Sequence, residues 1–190
     1  MKPLVISIFF LSLFTQAIAH KPILIESSTY PVDSPYEIEE PEISKTFFAT
    51  LSGDPHYYLI NSKVDFDFYA GVIVPMVGEC ILDKKISFEV LDSNLNQMYL
   101  ANSKDFEWDG WYEEYSSKWY WRGPEIGKDF VSNRIFKAGI YFIKVFNDSN
   151  SGNYVLAVGD DDKVSFLETI SVLFSIGEIK DEFWNPSLCN

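Results

Sequence analysis

Two histidines, two cysteines and one dense aromatic run hold the chemistry available to this chain. The run is Phe106-Glu107-Trp108-Asp109-Gly110-Trp111-Tyr112-Glu113-Glu114-Tyr115, followed closely by Trp119-Tyr120-Trp121-Arg122. Four of the five tryptophans thus fall within fourteen residues, interleaved with carboxylates. Indole and phenol faces stack on sugar rings while carboxylates accept hydroxyl protons, so an acidic aromatic segment suits a carbohydrate. Tyr and Trp also anchor protein partners. Trp108, Trp111, Tyr112, Trp119 and Trp121 are therefore the candidate ligand-binding residues. The competing expectation is a long crossover loop that folds back and packs its own rings onto the body of the fold. Arg122, lying among Glu113, Glu114 and Glu125, reads as a local ion pair or a ring-stacked cation.

The histidines raise a metal question through the start of the chain. Lys2 is followed by an apolar run from Leu4 to Phe14, and Ala17-Ile18-Ala19 has the small-x-small form of a leader cleavage site. That run is shorter than the roughly 20 apolar residues of a permanent membrane helix. Residues 1–19 therefore read as a signal peptide, and the protein as exported to a periplasm or secreted. Cleavage after Ala19 leaves His20 with a free α-amine beside its imidazole. The amine, that ring and a second imidazole would form a T-shaped nitrogen set suited to copper. His56, within Asp54-Pro55-His56-Tyr57-Tyr58, is the second histidine. The plainer reading is that His20 merely follows the cleavage site and His56 decorates a turn.

Other groups are less specific. Cys80 and Cys189 would meet oxidising conditions in an exported chain, where they either pair or remain two unrelated thiols. A bridge would close a loop of more than a hundred residues, for which chain-entropy arguments give about 4–5 kcal/mol. Asp160-Asp161-Asp162, or Asp148 with Asn147 and Asn150, offer oxygens to calcium, yet neither spacing matches a dedicated loop and solvated turns explain both. Asn147-Asp148-Ser149 is a glycosylation sequon. There is no Gly-x-Ser-x-Gly elbow, phosphate-cradling glycine loop or His-Glu-x-x-His motif, so the expectation is a protein that is not an enzyme.

Composition bounds the rest. The 190 residues include 15 basic and 28 acidic side chains, a formal charge of −13. The leader holds one base, Lys2, and no acid, so its loss takes the charge to −14. Such acidity argues against nucleic acid as a partner and against electrostatic attachment to anionic lipid. Sixteen Phe and eleven Tyr supply ample apolar area for one core. Val164 to Ile176 is the most apolar later stretch, but five polar residues interrupt it, so no integral membrane segment is expected after the leader.

These residues need a frame, and the chain reads as mainly β. Residues 20–45 carry Pro22, Pro31, Pro35 and Pro41, which forbid a helix and favour an extended strip along the domain edge, tied down by Ile23, Leu24 and Ile25. Strands are expected over 46–51 and 57–60, flanking the turn Ser52-Gly53-Asp54-Pro55. Further strands are expected over 64–69, 71–77, 86–91 and 97–100. Residues 140–146 and 154–159 form the clearest hairpin, around Asn147 to Gly152. Phe166, Leu167, Ile170, Leu173 and Phe174 recur at helical spacing, with Gly177 as a stop. The expected architecture is a single, jelly-roll-like β-sandwich over 46–163, followed by a short C-terminal α-helix and tail over 164–190.

A resemblance arises at the closing hairpin. Ala138-Gly139-Ile140-Tyr141-Phe142-Ile143-Lys144-Val145, a turn, and Gly152-Asn153-Tyr154-Val155-Leu156 resemble the last hairpin of bacterial pre-peptidase C-terminal domains. Tyr58-Leu59-Ile60 and the stretch from Asp65 to Val74 are similar to that family's preceding strands. The resemblance spans roughly residues 46–159 and implies a small secreted sandwich that accompanies exported enzymes or binds surfaces without catalysis of its own. Ala19-His20-Lys21-Pro22 and the Trp119 to Glu125 segment also resemble uncharacterised exported bacterial proteins. His20-Lys21-Pro22-Ile23-Leu24 is similar to the start of periplasmic copper carriers of the CopC type, which implies copper as a cofactor. Those carriers place further ligands near the C-terminus, where this chain has no histidine. Copper-dependent polysaccharide monooxygenases share the terminal-histidine logic only. The reading is a non-catalytic binding module for carbohydrate or protein, with a copper-binding protein using His20 and His56 as the alternative.

Overall fold

The computed structural model describes residues 21–25, 29–77, 85–114, 117–161 and Phe183. The expected leader over 1–19, His20, Cys80, Cys189 and the expected helix over 165–176 lie outside the described residues. Within them the chain is a β-sandwich of thirteen strands. They are β1 (Lys21–Leu24), β2 (Tyr36–Ile38), β3 (Lys45–Ser52), β4 (His56–Ser62), β5 (Phe66–Phe68), β6 (Ala70–Pro75), β7 (Ser87–Leu91), β8 (Gln97–Ala101), β9 (Asp109–Glu113), β10 (Lys118–Ile126), β11 (Arg134–Phe136), β12 (Gly139–Phe146) and β13 (Ser151–Val158). No helix among the described residues is long and apolar enough to cross a membrane.

One sheet has the order β1-β3-β13-β6-β10-β9 and the other β2-β4-β12-β7-β8. Period-two side chains explain how they meet. Phe47, Ala49 and Leu51 on β3, Val72 and Val74 on β6, and Tyr154 and Leu156 on β13 face Tyr58, Ile60, Phe88, Val90, Ile143 and Val145 from the second sheet. The six-stranded sheet is covered on its other face too. Phe48, Ile73, Tyr120 and Val155 pack there with Phe183 from the C-terminal tail. This second cover explains why β6 and most of β13 are buried without alternation. A two-stranded pair, β5 with β11, closes one end, where Phe68 stacks on Phe136 at 4.2 Å between ring centres.

The Pro-rich strip does lie along an edge, and it supplies a strand to each sheet. β1 pairs in parallel with β3, and β2 in parallel with β4. Tyr36 turns inward from β2 onto Phe47 and Tyr58. The opposite edges, β8 and β9, have no outer neighbour among the described residues. The chain crosses between those two edges through residues 102–108, which brings the aromatic run to this side of the sandwich.

Two expectations are altered, one for a strand and one for a hairpin. Val64 does not belong to a strand: it sits in a turn made by the Ser62 hydroxyl, which donates to its carbonyl at 2.7 Å, and it is exposed. The strand begins only at Phe66, and Tyr69 separates β5 from β6. The expected hairpin at β12 and β13 is present as two adjacent elements, yet the two strands belong to different sheets, β12 beside β4 and β13 beside β3.

Candidate functional site

The aromatic run is a hairpin, which overturns the expectation of a crossover loop. β9 and β10 pair from Asp109↔Arg122 through Gly110↔Trp121, Trp111↔Tyr120 and Tyr112↔Trp119 to Glu113↔Lys118. Alternation sends successive rings to opposite faces. Trp111 and Tyr120 share one face, with ring centres 6.1 Å apart, and Phe130 lies 5.1 Å from Trp111. This trio extends the apolar layer under Phe183 and is structural.

Tyr112 and Trp119 share the other face. Their rings are 5.3 Å apart and inclined at 54°, and they remain 43% and 51% exposed. A cross-strand aromatic pair of this kind holds itself in place, since each ring restricts the rotamers of the other. Gly110 leaves room beside the pair: a Cβ there would stand 3.3 Å from the Met76 methyl and 3.9 Å from the Trp119 ring. Alternation turns Glu113 to the Trp111 face, while Glu114 follows at the tip and is exposed.

The other candidates divide differently. Trp108 is half-buried against the core, its indole N–H donates to the Ser103 carbonyl at 3.0 Å, and its six-membered ring lies directly over Gly123. Trp121 is half-buried against the same core. Of the five aromatic candidates, the structure therefore presents Tyr112 and Trp119 and engages Trp108, Trp111 and Trp121 in packing. Arg122 does not pair with Glu113, Glu114 or Glu125. Its guanidinium donates through Nε and Nη2 to the two oxygens of Asp109 at 3.1 and 2.9 Å, with Asp129 at 3.7 Å. The bond to Asp109 raises the guanidinium pKa and ties the two strands at the base of the hairpin. Glu125 instead accepts from the Tyr69 hydroxyl and from the backbone N–H groups of Asp129 and Phe130.

His56 opens β4 and is fully buried, so it does not decorate the preceding turn. Its Nδ1 shares a 2.8 Å hydrogen bond with the Tyr154 hydroxyl, which shares another of 2.8 Å with the Tyr58 hydroxyl. Tyr30 meets the ring edge-on at 5.9 Å. Burial pushes both tyrosines up from the ordinary phenol value, so this interior network stays un-ionised on the phenol side. No cluster of three or more metal-ligating side chains occurs among the described residues.

The acidic turns also have structural work. Asp160 accepts from the Ser132 N–H at 2.7 Å, and Asp148 pairs with Lys104 at 2.9 Å. In the sequon, the Asn147 amide donates to the Ser151 carbonyl at 2.9 Å while its oxygen accepts from Ser149 and Ser151. A feature absent from the local motifs is a cleft of about 540 Å³ beyond the end of β8, bordered by Lys85, Lys104, Asn102 and Phe146. Comparison with protein-family models gives no match, and comparison with curated proteins gives none either.

Proposed function

We propose that this protein is an exported, non-catalytic recognition module that binds carbohydrate through Tyr112 and Trp119. The observation that carries the reading is the inclined, half-exposed ring pair on the outermost hairpin of the six-stranded sheet. Exposing large aromatic area to water is costly, on the order of 25 cal/mol per Å² of apolar surface. Here nothing in the packing requires it, because the neighbouring Trp111 and Trp121 are accommodated inside. Two rings at this angle form a shallow V that takes the apolar face of a sugar, with Glu114 at the adjoining tip to accept hydroxyl protons. The leader-like start supports export, and the resemblance of the closing hairpin to accessory domains of exported enzymes agrees with a binding role. The full chain, with Trp119→Ala, Tyr112→Ala and Trp111→Ala variants, tests it on a glycan array. Binding lost in the first two, with the wild type positive, is the expected result. A wild type that captures no glycan, or a Trp119→Ala protein that binds as well, would overturn it.

A further inference from the structure

The cleft beyond β8 sits on the outward face of the five-stranded sheet, and its shape follows from the register. Phe146 on β12 lies opposite Ser87 on β7, and Leu100 on β8 lies opposite Glu89. Ser87 is a small side chain between large neighbours, so the floor dips there. It is also withdrawn: the Ser87 hydroxyl donates to that of Ser103 at 2.9 Å and accepts the Ser103 N–H at 3.0 Å. Two turns rise on either side. Asn102 accepts from the Lys104 N–H and donates to Asp105, while Asn147 braces the β12–β13 turn. Lys104 bridges the walls by reaching both oxygens of Asp148, at 3.0 and 2.9 Å.

The charge of this cleft runs against that of the molecule. Lys85 and Lys104 face one carboxylate, Asp148, in a chain of formal charge −13. Lys85 is exposed and has no ion-pair partner among the described residues. Lys144 adds a cation over the Phe146 ring at 4.9 Å, although its charge is already matched by Glu89 at 2.7 Å. The lining therefore combines an apolar floor of Leu100 and Phe146, amide and hydroxyl groups on the rim, and one ammonium, that of Lys85, without an ion-pair partner among the described residues. The volume lies within the range of small-ligand sites.

We propose that this cleft binds an acidic sugar ring of the hexuronate class, its carboxylate held by Lys85 and Lys104 and its apolar face set on Leu100 and Phe146. The ligand carboxylate replaces Asp148 on Lys104, so the bridge across the walls is exchanged rather than simply lost. The site shares no residue with the Tyr112–Trp119 face, and the two stand or fall separately.

The test is amide chemical-shift mapping of the full chain, titrated with D-glucuronate, D-glucose and acetate at matched ionic strength. Glucuronate is expected to move amides of residues 85–87, 102–104 and 147–149 and to leave 109–121 in place. Lys85→Ala and Lys104→Ala are expected to weaken it about tenfold each, as loss of a charge-assisted hydrogen bond does. Asp148→Asn is expected to tighten it, because Lys104 is then released from its competitor. Equal shifts from acetate would reduce the site to simple anion capture, and equal affinity for glucose would make the lysines irrelevant. Either result, an absence of shifts from glucuronate, or weaker binding in Asp148→Asn, overturns the proposal. Lys85 is exposed and makes no ion pair among the described residues, so its variant stays interpretable even where Lys104→Ala disturbs the turn.

Discussion

Tyr154 shows how much one hydroxyl can carry in this interior. It stands between His56 Nδ1 and the Tyr58 hydroxyl, both at 2.8 Å, and all three residues are fully buried. Tyr154→Phe keeps the ring and removes the bridge, leaving two buried polar atoms short of a partner, which costs about 1–3 kcal/mol. Urea unfolding measures it, and a loss under about 0.5 kcal/mol would mean that the neighbours re-pair without it. Surface carboxylates act through pH instead. Bonds from Lys137 and the Ala138 N–H hold Asp65 below the usual carboxylate range, and bonds from Asn96 and Asn94 do the same for Asp92. A carboxylate depressed on folding stabilises the fold above its ordinary pKa, and that contribution disappears as pH falls through the folded value, below about pH 4. Asp65→Asn is therefore expected to flatten the acid limb of the stability curve below that pH. An unchanged acid limb would show that the Lys137 contact is not retained in solution.

The β9–β10 hairpin is the element least legible in the sequence, for a physical reason. A half-buried strand announces itself by alternation, but this hairpin packs rings on both faces, so Trp111-Tyr112 and Trp119-Tyr120-Trp121 run together without a period. Gly110 and the pair Gly123-Pro124 further resemble loop residues, whereas Gly123 is there because Trp108 needs its surface. β3, β4, β7 and β8 were legible because one face of each meets a core and the other meets water or a different cover. The candidate site was legible in residue type but not in exposure, which depends on register: Tyr112 and Trp119 fall opposite each other and away from Phe130 only once the strands are paired. The charged cleft was not legible at all, since Lys85, Lys104 and Phe146 are distant in sequence and are joined only by sheet order. Gly123→Ala tests the packing account. Its Cβ would collide with the Trp108 ring and stand 2.8 Å from the Val72 carbonyl oxygen. Overpacking of this kind costs about 1–3 kcal/mol. The Trp108 indole should also leave the Ser103 carbonyl, shifting tryptophan emission to the red. A variant as stable as the wild type, with unchanged emission, would show that Trp108 does not rest there.

At the scale of the molecule, the N-terminal strip covers one side of the sandwich with β1 and β2, while the side formed by β8 and β9 carries both the ring pair and the cleft. The β9 edge, which has no outer neighbour among the described residues, is bordered by carboxylates rather than by another strand. Asp109, Glu113 and Glu114 on and beside β9 would repel an approaching copy of the same edge. The excess of 28 acids over 15 bases has a measurable consequence for the fold itself. Unfolding separates like charges, so self-repulsion lowers stability most when it is least screened. Raising ionic strength from about 0.01 M to 0.1 M shortens the screening length from about 30 Å to about 10 Å. The same salt weakens the exposed pairs Lys104–Asp148 and Lys137–Asp65, but surface pairs contribute only about 0–1 kcal/mol each. The half-buried Lys144–Glu89 pair is screened less. Repulsion should therefore prevail, and the urea midpoint is expected to rise over this salt interval in sodium chloride at neutral pH. A midpoint that falls would mean that attractive pairs on the surface outweigh the summed field, and that the acidity is locally compensated.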